Sequence, residues 1–93
     1  GGTASAGYAE RVRAKVKPNI VFDPSAINGN PTAVVAVQMA PDGSILSKRL
    51  TKSSGNGAYD EAVLRAVDRS DPLPRDTNGK APSSVTLTFR PKE

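Results

Sequence analysis

The segment 32–51 constrains the fold more than any other part of the sequence, because it has the pattern of a β-hairpin. Thr32–Ala40 alternates Val35, Val37 and Met39 on one face with smaller or polar side chains on the other, as a half-buried strand does. Pro41-Asp42-Gly43 has turn chemistry, since glycine adopts positive φ without steric cost. Ser44–Thr51 then returns as a second strand. A strand, an Asp-Gly turn and a second strand predict an antiparallel hairpin.

A third strand is predicted at Ser84–Arg90, where the alternation is the most regular in the chain. Apolar Val85, Leu87 and Phe89 alternate there with polar Thr86, Thr88 and Arg90. We interpret the apolar row as core rather than as a ligand pocket. Because an open sheet of three strands has two edges, two rows of backbone N–H and C=O groups are left unpaired.

Helical periodicity occurs once before the hairpin and once after it. A first helix at 8–17 buries Tyr8, Val12 and Val16, and Pro18 ends it. A second helix at 58–69 has an inward face made of Tyr59, Ala62, Val63, Ala66 and Val67. Between the first helix and the hairpin, the apolar run 20–22 is expected to tuck under the sheet. The element order is α-β-β-α-β, which predicts an α+β fold with a three-stranded antiparallel sheet and both helices on one face.

The composition excludes most catalytic and metal chemistry. Histidine and cysteine are both absent, which removes the commonest general base, the commonest metal ligand and all thiol chemistry. Ser53-Ser54-Gly55 has no histidine to activate a serine and is interpreted as a tight turn, with a serine or Asn56 capping the second helix. Asp60 and Glu61 are neighbours on a helix and point in different directions, so that interaction with the helix dipole in the first turn is favoured over catalysis. We therefore predict no catalytic residue, cofactor, metal or small-molecule substrate, and no enzymatic activity.

The charge excess is modest and scattered. A net charge of +4 arises from 13 basic and 9 acidic residues, and four aromatic residues (Tyr8, Phe22, Tyr59 and Phe89) are too few for a base-stacking platform. Nucleic acid is not an expected partner, although a basic nucleic-acid-binding domain remains a rival that a steep salt dependence of binding would support. Residues 1–7 are interpreted as a cloning remnant and flexible lead-in, and residues 8–93 as one domain.

Three motifs, taken in order, resemble the C-terminal domains of the TonB/TolA superfamily. They are Asp42-Gly43 in the hairpin turn, Ser53-Ser54-Gly55 followed by Tyr59-Asp60 at the start of the second helix, and the Pro72-Leu73-Pro74 break after it. The resemblance covers about 8–90. The opening YAERVRAKVKPNIVF and the ending TFRPKE are similar to the TolA branch, whereas Ser53-Ser54-Gly55 is closer to TonB and the cysteine pair of enterobacterial TolA domains is absent.

The TolA resemblance implies a protein-interaction domain of the Tol-Pal system in a Gram-negative bacterium. Such a domain lies in the periplasm at the end of a protein anchored in the inner membrane, where it couples the TolQ-TolR motor to TolB and Pal for outer-membrane integrity and cell division. The implied partners are the N-terminal segment of TolB, Pal, TolQ and TolR through the missing N-terminal anchor, and phage coat proteins and colicins that use such domains as receptors. The alternative is a TonB-type energy transducer that binds the box peptides of outer-membrane transporters.

The superfamily also implies where a partner binds, which is by β-strand addition to the third strand. The expected partner-binding residues are Val85, Thr86, Leu87, Thr88, Phe89 and Arg90. Main-chain hydrogen bonds supply most of the affinity in this mode of recognition. The expected structural residues, which present that edge, are Asp42, Gly43, Ser53, Ser54, Gly55, Tyr59, Asp60, Pro72 and Pro74.

Overall fold

The computed structural model describes residues 7–77 and 79–92. The element order is α1 (Tyr8–Val16), β1 (Ala33–Met39), β2 (Ile45–Lys52), α2 (Gly57–Arg69) and β3 (Ser84–Phe89), with two short 3-10 turns between α1 and β1. This is the predicted α-β-β-α-β order. Of the predicted lead-in at 1–7, residues 1–6 lie outside the described residues.

The sheet has the strand order β2-β1-β3, with both pairs antiparallel. The predicted hairpin is confirmed, because β1 pairs with β2 across the Asp42-Gly43 turn. β3 returns to the other side of β1, which becomes the central strand. β2 and β3 are therefore the two edges of the sheet.

The core lies between one face of the sheet and the two helices. Its main side chains come from α1, β1, α2 and β3: Tyr8, Val12, Val16, Val35, Val37, Met39, Tyr59, Val63, Val67, Leu87 and Phe89. From β2, the partly buried Ile45 and Leu50 pack against this core. Each fully buried side chain of this size stabilises the fold by about 1.5–3 kcal/mol relative to leaving it exposed. The opposite face of the sheet carries the side chains that alternate with the buried ones along each strand, among them the exposed Gln38, Thr86 and Thr88.

The segment between α1 and β1 follows the prediction except at Val21. The predicted end of the first helix at Pro18 is confirmed, because α1 ends at Val16 and a 3-10 turn, Lys17–Asn19, follows with the proline in its first turn. That position tolerates proline because its missing N–H has no partner there. Of the run 20–22, Ile20 and Phe22 pack against the core, but Val21 is 75% exposed, since successive side chains of an extended segment point in opposite directions.

Two side chains of α1 form polar contacts with the loop that leads into β3. The Tyr8 hydroxyl donates to the Pro74 carbonyl (2.7 Å), and Arg11 contacts Asp76 (3.4 Å), whose side chain is almost buried. Burial raises the pKa of Tyr8, and the nearby Asp76 raises it further, against the smaller opposing effect of Arg11. The hydroxyl thus stays neutral and available as a donor.

Tyr8→Phe should destabilise the domain by about 1–2 kcal/mol, because it leaves the Pro74 carbonyl without its donor while the ring still fills the same space. Urea unfolding followed by circular dichroism measures the change. Tyr8→Leu serves as the comparison that also loses ring packing, and it should cost more. Equal stability of Tyr8→Phe and the parent chain would contradict a stabilising role for this bond.

Candidate protein-interaction site

The free edge of β3 is a regular strand edge. All six residues of β3 pair in unbroken register with β1, from Ala33–Phe89 to Gln38–Ser84. Side chains alternate as predicted: Val85, Leu87 and Phe89 are buried, whereas Ser84, Thr86 and Thr88 are exposed. The edge is therefore free of bulges, and its exposed side chains are small.

The hydrogen-bond phase of β3 determines which backbone groups are available. The Met39 N–H donates to the Ser83 carbonyl (2.9 Å), and antiparallel bonding alternates from one pair to the next. Val85 and Leu87, which lie opposite Val37 and Val35, therefore direct their backbone groups toward β1. Those of Ser84, Thr86 and Thr88 point away from the sheet. No backbone bond among residues 7–77 and 79–92 links these three residues to an element outside the sheet.

The other sheet edge, β2, is much less regular. Its register with β1 shifts twice, so that Thr51 and Leu46 are left as extra residues without a partner on β1. Bulges of this kind twist an edge strand and interrupt the row of outward backbone groups. The Ile45 N–H is also occupied by the Asp71 carboxylate (3.1 Å). Of the two edges of the described sheet, β3 is therefore the one that offers an unbroken template for a further strand.

One predicted partner-binding residue lies outside the strand. β3 ends at Phe89, so Arg90 follows the strand and does not pair with β1. Pro91 comes next, and its lack of an N–H prevents the ladder from continuing. Arg90 is exposed, and its side chain lines a pocket at the end of β3 instead.

The Asp-Gly turn and the Pro-Leu-Pro segment are in direct contact. The Leu73 N–H donates to the Gly43 carbonyl (2.8 Å), and Gly43 has a φ of 94°. Asp42 accepts a bond from the Ser44 N–H (2.9 Å), which helps to lower the pKa of its carboxyl. These contacts fix the hairpin turn against the chain that follows α2.

The same Pro-Leu-Pro segment also holds α1. The Pro72 carbonyl accepts a bond from Lys15, and the Pro74 carbonyl accepts the bond from Tyr8. α1 in turn packs over β3. Through their carbonyl groups, Pro72 and Pro74 connect α1 to the same segment that contacts the hairpin turn. These bonds help to set the position of α1 relative to the sheet.

The Ser-Ser-Gly loop wraps around the carboxylate of Asp60. Asp60 accepts bonds from the Ser53 hydroxyl, the Ser54 N–H (2.9 Å) and the Ser54 hydroxyl (2.8 Å). Gly55 has a φ of 89° and donates its N–H to Ser53 (3.0 Å). Asn56 caps α2 by accepting the bond from the Tyr59 N–H (3.1 Å). The serines thus form a tight turn, and of the two expected caps of the second helix, a serine or Asn56, the structure has Asn56.

A pocket that the sequence did not reveal lies where β3 ends. We call it the end pocket; its volume is about 230 Å³, and α1, the turns after it, α2 and β3 all contribute to its lining. Its floor is aromatic (Phe22, Tyr59 and Phe89), and its cationic side chains are Arg13, Lys17 and Arg90. Because these residues come from distant parts of the chain, no local pattern could have grouped them.

The sequence matches the model of the TonB C-terminal family over residues 5–89. The chain belongs to the TonB C-terminal family. This match covers every element of the fold and the whole of β3. No protein among the curated ones matches the sequence significantly.

Solved structures of the superfamily share the fold of this TonB C-terminal domain. The solution structure of TolAIII bound to a peptide derived from the N-terminus of TolB has a TM-score of 0.79 and 22% identity, covering 100% of this chain and 79% of that one. The Helicobacter pylori TonB C-terminal domain has a TM-score of 0.69 and 14% identity, covering 96% of this chain and 99% of that one. The C-terminal domain of HasB has a TM-score of 0.54 and 19% identity, covering 94% of this chain and 69% of that one.

The family and these structural neighbours are protein-interaction domains. In the part of the chain that the structure describes, no group of three acidic residues is placed to hold a metal ion, and no helix is long and apolar enough to cross a membrane. Asp60 and Glu61 do not form a pair, since Asp60 holds the serine loop and Glu61 contacts Arg65 (2.7 Å). The free edge of β3 and the end pocket are the candidate features for recognition.

Proposed function

We propose that this domain binds an extended segment of a protein partner as an additional strand along the free edge of β3. The observation that carries the proposal is the unbroken register of β3, which leaves the backbone groups of Thr86 and Thr88 directed away from the sheet. Because β2 is interrupted by two bulges, the two edges are not equivalent. Main-chain bonds to an edge give affinity without special side chains.

We propose further that the domain is of the TolA type, acts in the periplasm and takes the N-terminal segment of TolB as its partner. Its similarity in fold to TolAIII, whose structure holds a peptide derived from the N-terminus of TolB, supports this assignment. In that role the domain would link the inner-membrane TolQ-TolR motor to TolB and Pal. Phage coat proteins and colicins are further candidate ligands of the same domain.

A TonB-type role is the second candidate, because the matching family model is that of TonB C-terminal domains and the H. pylori domain aligns over nearly its whole length. Calorimetric titration with two peptides from the same bacterium separates the two roles. One peptide is the mature N-terminal segment of TolB, and the other is the box peptide of an outer-membrane transporter. A TolA-type domain should bind the first and not the second; the reverse preference would assign the TonB role.

Thr88→Pro should abolish binding of the TolB peptide, by at least about a hundredfold in Kd, because it removes an N–H that faces the partner and not one that bonds to β1. The matched control is Thr88→Ala, which keeps the N–H and should bind within about threefold of the parent domain. Circular dichroism confirms that both variants are folded.

Hydrogen exchange in the parent domain gives the same test without a mutation. The amide protons of Thr86 and Thr88 should exchange quickly in the free domain and slowly when peptide is bound, whereas those of Val85 and Leu87 should be protected in both states. Tight binding by a folded Thr88→Pro variant, or unchanged exchange at Thr86 and Thr88, would refute strand addition at this edge.

A further inference from the structure

We infer that the end pocket makes binding selective for the partner's sequence. It binds one apolar side chain of the added strand, while Lys17 and Arg90 bind an acidic residue that lies within two positions of that apolar residue. This inference rests on the proposed function, since it assumes a strand along β3. It adds selectivity to a binding mode whose affinity comes mainly from backbone groups. The preferred partner is thus an extended segment in which an apolar residue and Asp or Glu lie close together.

The floor of the end pocket is aromatic and largely buried. Phe22 meets Tyr59 edge to face with ring centroids 5.1 Å apart, and Tyr59 and Phe89 are only 1% and 3% exposed. A volume of about 230 Å³ falls below the range of about 300–1,000 Å³ that is typical of small-molecule sites. The pocket therefore suits a single Leu, Ile or Phe side chain better than a metabolite or cofactor.

The rim of the pocket carries positive charge that the described part of the chain does not neutralise. Arg13 is held by Glu10 (3.0 Å), but Lys17 and Arg90 are exposed and form no ion pair among residues 7–77 and 79–92. No carboxylate of those residues lines the pocket. An acidic side chain beside the buried apolar one would therefore meet two cations, and a basic one would be repelled.

The pocket is within reach of a strand added to β3. Alternate side chains of such a strand face the helix layer, in line with the buried row that ends at Phe89. Phe89 lines the pocket, and Arg90 and Pro91 continue along its wall. At about 3.3 Å per residue, a partner strand that passes Thr88 by one or two residues arrives at the pocket mouth.

The double variant Lys17→Glu/Arg90→Glu tests the charge of the rim. We expect it to raise the Kd for the TolB N-terminal peptide by about tenfold, because two attractive contacts become repulsive. The matched control is Arg49→Glu/Lys52→Glu, which reverses two exposed cations on the opposite edge strand β2. Each reversal changes the charge by two, so both double variants fall from a net charge of +4 to zero. The control should bind within about twofold of the parent domain.

Peptide variants complete the test. Each acidic residue of the peptide that lies within two positions of an apolar one is replaced in turn with Lys. One of these replacements should weaken binding to the parent domain and restore binding to Lys17→Glu/Arg90→Glu. Replacing the apolar residue close to that acidic residue with Ala should weaken binding to both, and it should remove the NMR shifts that the parent peptide induces in the ring protons of Phe22 and Tyr59.

The outcomes separate this inference from the function on which it rests. If Thr88→Pro abolishes binding while the rim variant and its control behave alike, strand addition stands and the pocket inference is wrong. If the peptide binds equally well to folded Thr88→Pro, or fails to bind the parent domain, the proposed function fails and the inference falls with it. Charge-swap rescue together with the loss of binding in Thr88→Pro supports both.

Discussion

Gly43→Ala is expected to destabilise the domain by about 3 kcal/mol or more, a large part of the total stability of a domain this small. Gly43 combines a φ of 94° with a close backbone contact, since a Cβ at this position would lie 2.0 Å from the Leu73 carbonyl oxygen. The strain of a left-handed backbone adds to the clash. Because the clash is with backbone, relief requires the hairpin turn and the Pro-Leu-Pro segment to separate.

Gly55→Ala is the control that isolates the clash. Gly55 has nearly the same φ, 89°, but nothing lies within 4 Å of a Cβ placed there. We therefore expect it to cost only about 1 kcal/mol. Gly57→Ala, at the start of α2 with an ordinary φ and open space, should be neutral or slightly stabilising. Guanidinium unfolding of the three variants measures the series, and equal destabilisation by Gly43→Ala and Gly55→Ala would contradict the clash.

Asp60→Ala is expected to cost about 2–4 kcal/mol of the free energy of unfolding, because three bonds to a nearly buried carboxylate are lost at once. The Ser53 and Ser54 donors would then face a cavity. Glu61→Ala is the matched control: it removes a neighbouring carboxylate that is 62% exposed and contacts only Arg65. Its cost should stay below about 0.5 kcal/mol. Equal costs for the two variants, measured by urea unfolding at pH 7, would refute the structural role of Asp60.

The stability that Asp60 provides should also depend on pH. Burial raises the pKa of Asp60, but the bonds from Ser53 and Ser54 together outweigh it, so that the pKa lies below its usual value. A lowered folded-state pKa means that the contribution is complete above the unfolded-state value of about 3.9 and is lost as the pH falls through the folded-state pKa. Stability measured from pH 6 to pH 2 should therefore fall less steeply in Asp60→Ala than in the parent domain.

The serine loop illustrates what the sequence could and could not predict. The sequence predicts a turn at Ser53-Ser54-Gly55 and a capping residue at the start of α2, because both depend on local backbone chemistry. The sequence favoured a helix-dipole role for Asp60. The structure shows that its carboxylate is instead enclosed by the serine loop, a contact that depends on how the chain enters α2.

The edge strand β3 shows the same division between what the sequence predicts and what the structure adds. The alternation of β3 and its outward threonines were evident in the sequence, since a period of two is a local property of a strand. The bulges of β2 were not, because they arise from its register with β1. Arg90 was assigned to the strand on its alternation alone, whereas Pro91 and the end of the pairing place it at the end pocket.

Local patterns in the chain establish the elements, their order, the buried rows of the strands and helices, and the family motifs. What appears only in the folded chain is the central position of β1, the regular edge at β3, the contact between Gly43 and Leu73, and the end pocket. The difference lies in the range of the interactions. Hydrophobic periodicity and turn chemistry act over a few residues, whereas strand order and pockets depend on the packing of segments that are far apart in the chain.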